Sequence, residues 1–152
     1  MRKKYSTDAK AFAVITSIGG LLFLIPAFTT ANPLKAVLFV IGLLFLFFLL
    51  FAKGYYVLLD EKILTNVQVF IRRSINVDKI TDISIQQAYK GIKSIKSIYI
   101  FYQNGHGNVK HTEIRIGTYK PSTLKNLIND LKKLNPKIKL DVVVQKFMEK
   151  IK

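Results

Sequence analysis

Apolar residues fall into two regimes along the chain. Ala11 to Phe28 is 18 residues without a charge, and Ala36 to Ala52 is another 17, dense in Leu and Phe. The stretch from Phe39 to Ala52 has no polar face, whereas a helix on a protein surface needs one. Extended through Thr29 to Ala31 and Leu34, the two runs approach the roughly 20 apolar residues that cross a bilayer. The pattern therefore predicts a transmembrane hairpin, with helices at about 11–31 and 34–52 joined by a tight turn at Asn32-Pro33. A cleaved signal peptide fits less well, because no small-x-small site follows the first run and a second run comes directly after it.

From Tyr55 the period changes to two. Tyr55 to Leu59 and Ile63 to Ile71, separated by Asp60-Glu61-Lys62, read as a hairpin. In the second strand Val67, Val69 and Ile71 alternate with Asn66, Gln68 and Phe70. The pairs Ile75/Val77 and Ile83/Ile85 are out of phase, which a bulge near Asp78-Lys79 would reconcile. Ile98, Ile100 and Tyr102 then fall on one strand face, with Tyr99 and Phe101 on the other. Asn104 to Asn108 is a connection, and Val109 to Ile116 a returning strand. Leu124, Leu127, Ile128, Leu131 and Leu134 recur at helical spacing behind Pro121, and Asn135-Pro136 stops that helix. The last residues carry Phe147, Met148 and Ile151 at the end of a basic segment. Lying on a membrane leaflet and packing on the domain both remain open for it.

Composition narrows the picture. The chain has 152 residues, room for one modest domain, and no Cys, which excludes disulfides and thiolate chemistry. Its formal charge is +15, from 24 Lys and Arg against 9 Asp and Glu. Arg2, Lys3, Lys4 and Lys10 precede the first run, and Lys53, Lys62, Arg72 and Arg73 follow the second. Only Lys35 lies near the turn. Positive residues collect on the cytoplasmic side of a membrane, so both termini are expected there.

The order of elements, the segment Ile75 to Ile83 (Ile-x-Val-Asp-Lys-Ile-Thr-x-Ile) and the helix ending LKKLNPKI together resemble the bacterial pleckstrin-homology-like domains, especially the YyaB-like group. The resemblance covers about Tyr55 to Ile138. It implies an α+β architecture: a two-helix transmembrane hairpin followed by a pleckstrin-homology-like antiparallel β sheet or barrel, capped by a C-terminal helix. The expected layout is a hairpin at 1–53, a cytoplasmic domain at 54–138 and a basic extension at 139–152, in a multi-pass protein of the bacterial cell membrane. Some membrane-anchored proteins with related domains look like self-immunity factors against cationic leaderless bacteriocins.

Enzymatic chemistry has little to work with. His106 sits in a Gly-Asn connection and His111 on a strand, without a metal-ligand spacing. The serines have no recognisable base, Gly105-His106-Gly107 is too short for a phosphate loop, and no pair of carboxylates stands apart from basic neighbours. No catalytic residue, metal ligand or cofactor is expected. The cations are more telling: from Lys53 onward 19 Lys and Arg face 8 Asp and Glu. Lys53, Arg72, Arg73, Lys90, Lys93 and Lys96 fall near expected strand ends and loops. Arg72-Arg73 leads this set, because arginine makes bidentate phosphate contacts. Anionic membrane lipid, a membrane protein or transporter, and a bacteriocin peptide are the partners this suggests; nucleic acid is not expected beside two membrane runs. The first functional reading is a non-enzymatic, membrane-anchored binding or scaffold module. The alternative is self-immunity, protecting the producer membrane against a cationic leaderless bacteriocin.

Overall fold

A computed structural model describes residues 2–7, 10–29, 34–68, 71–90 and 93–151. The chain divides into two compact units, one formed by residues 8–55 and the other by 1–7 with 56–152.

The first unit holds two 20-residue helices, α1 (Lys10–Thr29) and α2 (Leu34–Lys53). They run antiparallel, because contacts pair early α1 with late α2. Phe23 stacks on Phe45 at 5.5 Å and Phe28 meets Phe39 edge-on at 6.4 Å. Gly19 and Gly42 permit this approach: a methyl group at Gly19 would come within 2.7 Å of the Phe45 ring, and one at Gly42 within 2.6 Å of Leu24. Val14, Ile18, Leu22, Ile25, Val37 and Val40 are exposed on the outside.

The membrane-spanning hairpin expected from these runs is not supported. Within the two helices the longest unbroken stretches of described side chains are 13–29 and 34–45, both short of the roughly 20 residues a crossing needs. Among the described residues no helix is long and apolar enough to cross a membrane. The expected multi-pass location in a bacterial cell membrane, with both termini on the cytoplasmic side, falls with it. The expected turn at Asn32-Pro33 lies outside the described residues.

The second unit is built from two four-stranded sheets. Sheet A comprises β1 (Lys3–Ser6), β2 (Tyr55–Leu59), β3 (Ile63–Gln68) and β4 (Ile71–Asn76), in that spatial order. In sheet B the order is β7 (Val109–Arg115), β6 (Lys93–Gln103), β5 (Ile80–Lys90) and β8 (Lys139–Leu140). Neither sheet closes on itself. The pleckstrin-homology-like sheet or barrel is therefore corrected to a mixed α+β fold with two open sheets. A strand ahead of the helices completes sheet A, and β8 joins β5 in parallel.

Local chemistry accounts for several boundaries. The phase change around Asp78-Lys79 is a 3-10 turn, Val77–Lys79, whose Asp78 amide donates to the Asn76 side chain at 3.1 Å. The register of β5 on β6 also shifts between Ile80 and Asp82. The β6–β7 connection is held by Asn104, whose side chain accepts from the amides of His106 and Asn108, while Gly107 adopts a φ of 76°. The strand expected over Ile63 to Ile71 ends at Gln68, and Ile71 opens β4 instead. Val69 and Phe70, part of that expected alternation, lie outside the described residues.

Helix α3 (Pro121–Leu134) begins with proline, whose missing N–H costs nothing there. It buries Leu124, Leu127, Ile128 and Leu131 to 1% exposure or less. These meet Ile83, Ile98, Ile100 and Ile114 of sheet B and Val57, Leu59 and Leu64 of sheet A in one core. Asn135 ends the helix and is itself buried, donating to the carbonyls of Val77 (2.9 Å) and Ile80 (3.1 Å). Helix α4 (Val142–Lys150) is capped by the Asp141 side chain, and its Val144 is fully buried with Phe147 and Met148 packed against the core.

Candidate functional site

Open sheets have edges, and an edge strand carries a row of backbone donors and acceptors that must be covered or used. At β1 the cover is α3. The Asp130 carboxylate takes the Lys3 ammonium at 2.8 Å and also accepts a short hydrogen bond from the Tyr5 hydroxyl. Burial pulls the Asp130 pKa upward, but the hydrogen bonds from Lys3 and Tyr5 and the charges of Lys3 and Lys133 outweigh it and hold the group below its ordinary value. Burial, then the hydrogen bond to Asp130, raises Tyr5 far above the usual phenol range.

Edge strand β7 is met by side chains. The Glu113 carbonyl accepts from Asn66 at 3.0 Å and Gln68 at 2.9 Å, and Asn66 also donates to the Thr112 hydroxyl at 3.0 Å. Edge strand β8 is two residues long and is followed at once by Asp141, whose amide donates to the Ile83 carbonyl.

Strand β4 differs from all three. It is six residues long, pairs with β3 alone among the described residues, and exposes every residue except Ile75. Ile75, 3% exposed and opposite Leu64, anchors it in the core. Arg72 and Arg73 stand opposite Val67 and Asn66, so they are mid-strand and not at a turn. Consecutive strand residues point to opposite faces, and the two guanidinium groups therefore flank the edge from both sides. Ile71, 55% exposed, adds an apolar contact at the start of the strand.

The other cations expected to form a site are distributed elsewhere. Lys90 and Lys93 are a cross-strand pair at the end of β5 and β6, and exposed Lys96 stands opposite Gln87 in the same hairpin. Sheet B thus brings these three together and keeps them apart from Arg72 and Arg73 in sheet A. Lys53 is the last residue of α2, in the helical unit. His106 is exposed in its turn. His111 lies against Tyr99 and Phe101, with ring centroids at 5.2 and 5.9 Å. Among the described residues no group of three or more His, Cys, Asp or Glu is arranged to hold a metal ion.

Sequence reasoning missed β1, Asp130, Asn66 and Asn135. The only signal for the last two was a polar residue where the apolar period wanted a core position.

No family model, curated protein or solved structure matches the chain. The resemblance to the bacterial pleckstrin-homology-like domains is therefore unsupported by comparison as well as by architecture. The functions built on it, a membrane-anchored module on anionic lipid or a membrane protein and immunity to a bacteriocin, lose their basis, since no described helix can provide the anchor. The partners named for them, including a transporter and the bacteriocin peptide, are withdrawn on the same ground.

Proposed function

We propose that the sheet-bearing unit is a non-catalytic recognition module that takes an extended acidic polypeptide as a fifth strand along β4. The observation that carries this reading is the contrast between β4, uncovered over six residues and flanked by two arginines, and three other sheet edges that are covered or cut short.

The chemistry is that of strand addition. Alternate residues of an edge strand turn their N–H and C=O outward, and an incoming chain pairs with them at about 4.8 Å spacing. Six residues offer a contact about 20 Å long. Main-chain bonds bring affinity without choosing a sequence. Arg72 and Arg73 supply the choice: carboxylates on adjacent residues of the partner point to opposite faces and can each meet one guanidinium. The same pair disfavours a second copy, because antiparallel β4–β4 pairing centred there sets arginine against arginine. A binding role is also supported by the titratable groups: Tyr5 and Asp130, the two with shifted pKa values among the described residues, are engaged with each other in the cover of β1.

The test is fluorescence polarisation of the full chain with a labelled Val/Thr-rich peptide bearing a central Glu-Asp pair, beside the same peptide with Lys-Lys. Selective binding of the acidic peptide, weakened at least about tenfold by Arg72→Ala/Arg73→Ala, with β4 amides becoming protected from hydrogen exchange, is expected. Equal binding of both peptides, or protection confined to other strands, would overturn the reading.

A further inference from the structure

We infer that the outer face of sheet B is a binding surface for single-stranded nucleic acid, independent of the β4 edge. The register defines that face. Ile98 and Ile100 of β6 turn inward with Ile83, Ile85 and Ile114, so Ser97, Tyr99 and Phe101 turn outward. Ser84 and Glu113 flank Tyr99 across the sheet, and Asp82 and His111 flank Phe101.

Three features of this face fit a nucleic acid strand. The first is a cluster of rings on the central strand: Tyr99 and Phe101 stack with centroids at 6.4 Å and His111 leans on both. Tyr99 and Phe101 are only half-buried and His111 is exposed, although every buried aromatic or aliphatic group of this unit has the core available to it. Exposed aromatic rings at alternate positions of a central strand are what successive bases stack on.

The second feature is charge. Asp82 and Glu113 lie beside the rings, but each is matched locally: Asp82 stands opposite Lys139 in the β5–β8 register, and Glu113 accepts from the Ser97 hydroxyl at 2.7 Å with Arg115 two residues along the same face. Beyond them the same hairpin carries Lys90, Lys93 and Lys96, and the chain from Lys53 onward has 19 cations to 8 anions. A strand of phosphates laid across the face meets a surplus of positive charge.

The third is hydrogen-bonding capacity. The Ser84 hydroxyl, next to Tyr99 in register, is enclosed and has no hydrogen-bond partner among the described residues. A buried hydroxyl is normally paired, and the exocyclic groups of a base stacked on Tyr99 would be its partners. An acidic peptide would satisfy the charge of this face but would leave the ring cluster unexplained.

Fluorescence anisotropy of the full chain with a labelled 12-nucleotide oligothymidine tests this, against polyglutamate of equal charge as competitor. Binding that polyglutamate displaces poorly is expected, with a log K against log salt slope near −1.4 if Arg115 and Lys139 each neutralise one phosphate. Tyr99→Ala and Phe101→Ala should each weaken it about tenfold, and Phe101→Tyr, which keeps a ring and guards against misfolding, should bind like the parent. Equal competition by polyglutamate, or ring variants that bind unchanged, would overturn the inference; loss of oligothymidine binding on Arg72→Ala/Arg73→Ala would place the contact on β4 instead and overturn it too.

Discussion

The two edges of sheet A are made of similar material and meet opposite fates. Both β1 and β4 are short, carry paired cations (Lys3-Lys4 and Arg72-Arg73) and send one side chain into the core, Tyr5 and Ile75. At β1 a single carboxylate, Asp130, turns the positive charge into a link to α3. At β4 no described acidic group does so. Edge charge therefore has two uses in one sheet. With an internal counter-ion it closes the edge, and without one it leaves the edge open while selecting what can approach. If that contrast is right, changes at β1 alter stability and changes at β4 alter binding.

The largest effect should come from Asp130→Ala. It leaves the buried Tyr5 hydroxyl and the Lys3 ammonium without their partner and should cost about 1–3 kcal/mol, read as a lower urea midpoint. Amides of β1 and β2 should exchange faster, with those of β4 little changed. If β4 loosened as much as β1, the two edges would not be separate devices and the comparison would fail. Asn66→Ala provides a control elsewhere, because it strips donors from Thr112 and Glu113 and should cost a similar amount while leaving β1 in place.

A smaller effect is expected from acid. Asp130 has its pKa lowered in the folded chain from the ordinary value of 3.8. A depressed carboxyl contributes stability that is fully present above the unfolded pKa and is lost as pH falls through the folded one. The β1 link should thus be indifferent to pH between about 5 and 7 and weaken below about 4. With the Asp130 side chain 17% exposed, the stability gap between the parent and Asp130→Asn should be at most about 1 kcal/mol at neutral pH and should narrow toward pH 3. A gap that widened on acidification would mean that the carboxylate is not what holds the edge.

Several of these features are legible in the amino-acid sequence, and the reasons are physical. Leu124, Leu127, Ile128 and Leu131 announce α3 because one apolar stripe on a helix has a single way to be buried. The division of Ile98 and Ile100 from Tyr99 and Phe101 follows from the period of two, and the core holds the isoleucines as that alternation requires. Strand β1 is illegible because its four residues, Lys-Lys-Tyr-Ser, become a strand only by pairing with β2 more than 50 positions away. Alternation also cannot say whether strands close into a barrel or stop in two open sheets, since both bury the same faces. The edge at β4 is hidden for a related reason. An apolar alternation continues without a break from Gln68 to Ile71 and puts Arg72-Arg73 at a turn, whereas they sit mid-strand. The long apolar runs suggest a membrane crossing by their length and composition, a conclusion the described helices do not sustain.

The smallest effect on the folded chain should be the most diagnostic. Arg72 and Arg73 are exposed and make no ion pair among the described residues, so replacing both with Ala removes charge from a surface and should move stability by no more than about 0.5 kcal/mol. Relief of repulsion between neighbouring cations could even raise it slightly. What should change is the company the edge keeps. Without the arginines a flat six-residue strand beginning with exposed Ile71 loses the charge that keeps identical edges apart, and the double variant should self-associate with rising concentration in sedimentation velocity while the parent does not. Arg72→Lys/Arg73→Lys separates the two roles, because lysine preserves the repulsion but not the bidentate geometry: it should stay monomeric yet bind the acidic peptide more weakly than the parent. A lysine variant that bound as tightly as the parent would reduce the β4 edge to a charged surface, with no special part for the guanidinium pair.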